Sequence, residues 1–199
     1  SDKMVDPYFT MLWADDIPRR EHVDDAGRVS TVTVIAGEYD GLVPASPPPD
    51  SWAARPDAGV AIWHVVQAPG AVLTLPPAVH PDTNRVLYVF EGSVAVDGQQ
   101  LSTDTGAVLD PTADVPLLAG TGGCEILLLQ GRPIAEPVVQ YGPFVMNTEA
   151  EIRQAFADYR RDGFGGWPWD RPDPVHGDVA ERFAQHADGR IDRPHAIAG

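Results

Sequence analysis

The chain has 199 residues, 43% of them apolar, enough for one well-cored domain with extensions and short for two full β-barrels. Its 29 acidic and 14 basic side chains give a formal net charge of −15, which disfavours direct binding to nucleic acid or an anionic membrane and leaves contact with a basic protein partner open. Cys124 is the single cysteine, which excludes an intrachain disulfide and a cysteine-rich zinc site and fits a reducing, cytoplasmic setting. No run approaches the ~20 apolar residues of a membrane span.

The 19 glycines and 20 prolines punctuate the chain heavily, which suits an all-β protein better than a helical bundle. The opening Ser1-Asp2-Lys3-Met4 resembles no signal peptide and, lacking a leading methionine, reads as a trimmed start or a fragment. Residues 1–28 have no sustained periodicity and read as a lead-in or linker segment. Thr31 to Ile35 alternates like a strand and ends in the turn residues Gly37 and Tyr39-Asp40-Gly41. Pro44 to Pro49, with three consecutive prolines, cannot enter a sheet interior and reads as a surface loop.

From Val60 the pattern becomes regular. Val60–Val66, Ala71–Leu75, Val86–Phe90, Ser93–Val96, Ala107–Leu109 and Glu125–Leu129 are short β-rich runs, nearly all separated by turn residues. Each such strand needs a second sheet face to bury its apolar side, so the spacing predicts a sandwich or barrel over 29–147. A helix is predicted over 148–164: Thr148 caps it, Glu151 completes a capping box, and Ile152, Ala155, Phe156 and Tyr159 share a face. Gly163 and Gly165-Gly166 stop it, and 165–199 reads as an extended polar tail.

Individual side chains offer weak chemistry. His64, beside Trp63 in a strand, reads as packing, and His176, His186 and His195 are too far apart for one metal motif and read as exposed tail residues. Cys124 would be a redox sensor only with a cation beside it, and Glu125 argues against that. The adjacent acids Asp15-Asp16 and Asp24-Asp25 are expected to face water. His80, Asp82 and Arg85 are the candidates for a binding site at the barrel mouth, with His80 a weak candidate for a metal ligand.

The stretch from Leu75 through His80-Pro81-Asp82-Thr83-Asn84-Arg85 to Glu91-Gly92 resembles the first motif of the cupin barrels, in which two histidines and a glutamate converge on a metal. Counting back from Gly92, the resemblance implies Arg85 at the glutamate position, His80 at the second histidine and Ala78 at the first. A second motif would lie in 106–117, where the further histidine expected near Leu117 does not occur. One neutral imidazole and a permanent cation do not bind a divalent metal, so no metal and no catalytic residue are expected in this chain.

Glu136-Pro137-Val138-Val139-Gln140-Tyr141-Gly142-Pro143-Phe144-Val145-Met146-Asn147-Thr148, its continuation from Ile152 to Phe164, and Trp13-Ala14-Asp15-Asp16-Ile17-Pro18 narrow the resemblance to the pirin family of bicupins, over most of 1–170. That resemblance implies a cupin-type, jelly-roll-like double-stranded β-helix with a C-terminal helix and tail, forming the second half of a bicupin. Pirins hold iron in the N-terminal barrel through three histidines and a glutamate, including a His-Pro-His-Arg-Gly run that this sequence lacks. Iron, quercetin dioxygenase activity and redox regulation would therefore belong to a missing N-terminal half. This chain would be a structural and docking half whose partner is that barrel, with Tyr141, Phe144, Ile152 and Phe156 as docking residues. The alternatives are an autonomous small-molecule-binding or metal-dependent cupin using His80, and a protein-interaction module of a transcription co-regulator.

Overall fold

The computed structural model describes residues 3–6, 8–166, 181–186 and 188–194. Trp167, Trp169, His176 and His195 of the expected tail lie outside the described residues. Contacts divide the chain into two units, Asp6–Ile134 with Pro194–Gly199, and Ser1–Val5 with Ala135–Arg193.

The larger unit is an eight-stranded antiparallel sheet: β1 (Arg19–Val23), β2 (Val29–Ala36), β3 (Ala61–Gln67), β4 (Val72–Leu75), β5 (Asn84–Val96), β6 (Gln99–Ser102), β7 (Thr105–Val108) and β8 (Val115–Gly131). The order runs β1-β2-β3-β8-β5-β6, with β4 paired to β8 and β7 to β5. The runs Val86–Phe90 and Ser93–Val96 prove to be one strand, β5, which bends through irregularities at Val89/Glu91 and Gly92/Val94. At that bend Gly92 takes φ 72°, and a Cβ there would sit 2.1 Å from the Gly123 carbonyl oxygen of β8, so only glycine lets the two long strands approach.

Alternation along each strand builds the core. On β3 Ala61, Trp63 and Val65 point inward; on β5 Arg85, Leu87 and Val89; on β8 Leu117, Ala119, Ile126 and Leu128. Leu75, Leu87, Leu117, Ile126 and Leu128 are fully buried, each contributing about 1.5–3 kcal/mol of hydrophobic stabilisation.

Strand β1 falls within the segment expected to be a lead-in without strands. Arg-Arg-Glu-His-Val has no apolar alternation, and the strand forms because the hairpin 24–28 lays it against Val29–Thr33. Asp24 fastens that hairpin by accepting from the backbone N–H of Ala26, Arg28 and Val72 and from the Arg28 guanidinium. These bonds, led by that from the Arg28 N–H, lower its carboxyl below the ordinary value. Asp24 therefore does not face water as expected; its side chain is 7% exposed.

In the smaller unit, the hairpin of β9 (Val139–Tyr141) and β10 (Phe144–Met146) leads into α1 (Glu149–Asp162). The capping box forms as the sequence predicts: the Thr148 hydroxyl accepts from the Glu151 N–H at 3.2 Å, and the Glu151 carboxylate accepts from the Thr148 N–H at 2.8 Å. Gly163, at φ 58°, ends the helix in the left-handed region. A short hairpin, β11 (Ala184–Gln185) with β12 (Ile191–Asp192), completes this unit. In it His186 is only partly exposed, bonding Asp192 at 2.6 Å, and is not the free tail residue expected.

Candidate functional site

The sheet interior carries an unusual charge. Arg85 occupies an inward slot of β5 directly ahead of Leu87 and Val89, and its side chain has no exposed surface. Register places it opposite Gln130 of β8, which in turn lies opposite Ala61 of β3. One inward layer along are Leu87, Leu128 and Trp63, again across the same three strands. Cross-strand neighbours on one face lie about 5 Å apart at Cβ, so Arg85 and Gln130 are adjacent.

These two layers hold orphaned polar atoms. Nε, Nη1 and Nη2 of Arg85, Nε1 of Trp63 and Oε1 of Gln130 are buried without a hydrogen-bond partner among the described residues. The Trp63 ring packs edge-on against Tyr39, at 4.8 Å between centroids. Tyr39 in turn bonds His22 Nε2 at 2.9 Å, and burial, reinforced by Asp40, pushes its hydroxyl up to about 12. Burial pulls the Arg85 guanidinium below its ordinary value while the Asp114 carboxylate works the other way.

The structure does not gather His80, Asp82 and Arg85 into one site. Asp82 lies outside the sheet, where Arg132 grips it through Nε at 2.8 Å and Nη2 at 2.8 Å, and its side chain is 57% exposed. That contact holds the Asp82 carboxyl below its ordinary value. Half-buried His80 packs beside Gly59, in the turn before β5. Only Arg85 belongs to the interior.

The expected docking residues sit together in the smaller unit. Phe144 packs edge-on against Phe156 at 4.8 Å, Tyr141 meets Phe156 at 5.8 Å, and Ile152 is buried. Most of their area thus serves the unit's own packing, while Tyr141 remains 68% exposed.

On the outer face of the large sheet, His64 bonds Glu125 at 3.1 Å and its ring lies 5.5 Å from that of Phe90. Val66, Tyr88, Phe90 and Leu129 are exposed around this pair. Cys124 is buried, and burial with the neighbouring Glu125 charge pushes its thiol up to about 11, as expected of a structural rather than a reactive cysteine. Sequence reasoning missed Trp63 and Gln130, which share an inner face with Arg85 only through long-range register.

A mostly β architecture with one C-terminal helix, built around the long strands β5 and β8, defines a cupin fold. Residues 62–165 match the family model of the Pirin C-terminal cupin domain, and the chain belongs to the pirin family. It is 39% identical over 163 residues to a Pseudomonas aeruginosa protein provisionally named quercetin 2,3-dioxygenase, covering 80% of this chain and 53% of that one. It is 36% identical over 178 residues to a pirin-like protein of Solanum lycopersicum, covering 82% and 53%. A crystal structure of quercetin 2,3-dioxygenase from Acinetobacter baumannii superposes with a TM-score of 0.67 at 32% identity, over 82% of this chain and 52% of that one. The chain spans about half the length of the curated relatives it matches.

The quercetinase relatives bring a metal into question. Among the described residues no group of three or more His, Cys, Asp or Glu side chains is placed to hold a metal ion. The charged group buried in the sheet interior is a guanidinium, which repels a cation. The described residues of the sheet interior do not fit a divalent metal.

Proposed function

We propose that this chain is the non-catalytic C-terminal barrel of a pirin-like bicupin, working in the cytoplasm by docking against an N-terminal barrel that carries the iron and the oxygenase or redox-regulatory chemistry. The observation that carries this reading is Arg85: a fully buried cation stands in the interior where a cupin metal would need carboxylate and imidazole ligands. Two further observations support it. The chain matches about half of the Pseudomonas aeruginosa and Acinetobacter baumannii relatives named for quercetin 2,3-dioxygenase activity, so the partner on this reading is the other half. The outer sheet face also presents Val66, Tyr88, Phe90 and Leu129 around the His64–Glu125 pair, an apolar patch with a polar centre of the kind that protein interfaces cover.

The test is co-expression with an N-terminal pirin barrel from the same genome. A stable complex is expected, with iron stoichiometric to the N-terminal barrel, and Phe90→Glu should weaken it at least tenfold without unfolding this chain. Two folded halves that elute separately would overturn the docking reading. Iron retained by this chain alone and lost on His80→Ala would favour the autonomous metal-dependent cupin instead.

A further inference from the structure

Folding leaves the Arg85 guanidinium without a hydrogen-bonded partner, with only the longer-range field of the Asp114 carboxylate opposing its charge. Its three guanidinium nitrogens meet no acceptor among the described residues, and the Trp63 indole N–H, on the same inner face, meets none either. A buried lysine or carboxyl can escape such a position by changing protonation state, but a guanidinium keeps its proton inside proteins. Burying it unpaired is therefore more costly than burying an unpaired amide, and an anion is the partner that would answer both its charge and its hydrogen-bond donors.

We infer that the interior between β3, β8 and β5 is a binding site for a small monocarboxylate with an apolar body, its carboxylate held by Arg85 and by the Trp63 indole N–H. Register sets the distance. Arg85 and Trp63 lie on strands two apart and differ by one inward layer, which puts their Cα atoms about 12 Å from each other. A long guanidinium arm and an indole can close on one carboxylate from its two sides across that gap. The planar guanidinium fork matches a carboxylate bidentately, and the indole supplies a third donor.

Charge selects the class. One guanidinium and one neutral N–H balance a single negative charge, whereas a phosphate dianion would leave one charge unbalanced near Asp114. Leu87, Leu128 and Ala61, on the same inner face, would meet the apolar body.

The guanidinium nitrogens are covered in this conformation, so entry needs a wall to move. Leu109 donates its N–H to the Arg85 carbonyl at 2.9 Å, and it lines a cleft of about 370 Å³ together with Asp110, Asp114 and Val115. Of that wall Asp110, Ala113 and Asp114 are exposed, which makes this turn a part with little packing to lose. Asp114 is the resident competitor of an incoming anion.

The site stands independently of the docking reading, since a barrel that covers a partner can also hold a small acid. The experiment titrates the full chain with benzoate, butyrate, phosphate and chloride at fixed ionic strength, by calorimetry and by the ¹⁵N-indole signal of Trp63, assigned through Trp63→Phe. Saturable binding of the carboxylates that shifts this signal is expected, with none for phosphate or chloride. Arg85→Lys should weaken it at least tenfold, Arg85→Met should abolish it, and Asp114→Asn should tighten it several-fold. If Arg85→Met does not fold, weaker carboxylate binding in Trp63→Phe, which loses the indole donor, and tighter binding in Asp114→Asn still decide the matter. Absence of saturable carboxylate binding, equal response to chloride, or unchanged affinity in Arg85→Lys would overturn the inference.

Discussion

The two ends of the β3–β8 interface bury polar side chains in opposite ways. At one end Gln67 lies opposite Cys124; its amide donates to the Ser30 hydroxyl and the Ala71 carbonyl, each at 3.2 Å, and accepts from the Cys124 thiol at 3.6 Å. Gln67 and Ser30 are 2% and 0% exposed, so this small network is sealed and satisfied within the chain. At the other end Gln130 lies between Ala61 and Arg85, and the polar atoms of Gln130 Oε1, Arg85 and Trp63 Nε1 have no partner among the described residues. The same sheet thus solves a buried polar problem completely at one end and leaves it open at the other. A completed network fixes register and packing, whereas an open one costs stability that makes sense when something from outside completes it.

The comparison predicts opposite signs for substitutions at the two ends. Arg85→Met keeps much of the volume and removes the unpaired charge, so the ligand-free chain should gain about 1–4 kcal/mol. Thermal and urea unfolding would read this as a higher midpoint; a destabilised Arg85→Met chain would mean that the guanidinium is already compensated, and the contrast between the ends would fail. Gln67→Met should lose about 1–3 kcal/mol in the same assay, because Ser30 keeps a buried hydroxyl without its partner. The carbonyl of Ala71 retains the Ala119 N–H at 3.0 Å, which limits the loss to that range.

How far this contrast could be read from the sequence depends on the range of the interactions. The helix, expected over 148–164 and found over Glu149–Asp162, was legible to within two residues because its determinants are local: Thr148 and Glu151 are three apart, and Gly163 follows the last turn. Strands β3, β4, β5, β7 and the second half of β8 were legible as runs, β6 and the first half of β8 were not, and the resemblance of 136–148 identified the family. Arg85 was half legible. Its phase with Leu87 and Val89 marks it as inward, yet its spacing from Gly92 drew it into a mouth set with His80 and Asp82, which belong to the preceding turn. Trp63 and Gln130 carried no signal, since only the register of β3 and β5 against β8 brings residues so far apart in sequence onto one face. Strand β1 was missed for a related reason: its polar sequence forms a strand only by pairing to β2.

Arg132 supplies the surface reference for Arg85. It has the same side chain, but its Nε and Nη2 hold Asp82, its Nη1 donates to the Asp57 carbonyl at 2.9 Å, and its own carbonyl accepts from the Trp52 indole at 3.0 Å. The hydrogen bond to Asp82 raises the Arg132 value and lowers that of Asp82, the reverse of what burial does to Arg85. Exposed pairs of this kind contribute little, so Arg132→Met should change stability by less than either interior substitution, and in the destabilising direction. The sign of its pH dependence follows from the depressed Asp82 carboxyl: the contribution is present above the ordinary aspartate value of 3.8 and is lost as pH falls through the lower folded value. Unfolding of the wild-type chain and of Arg132→Met, compared from pH 7 downward, should therefore show a gap that closes only below about pH 4. A gap that persists undiminished into stronger acid would mean that the Arg132 side chain acts through its bond to the Asp57 carbonyl and its apolar stem alone, and that the paired arginine is no electrostatic counterpart to the buried one.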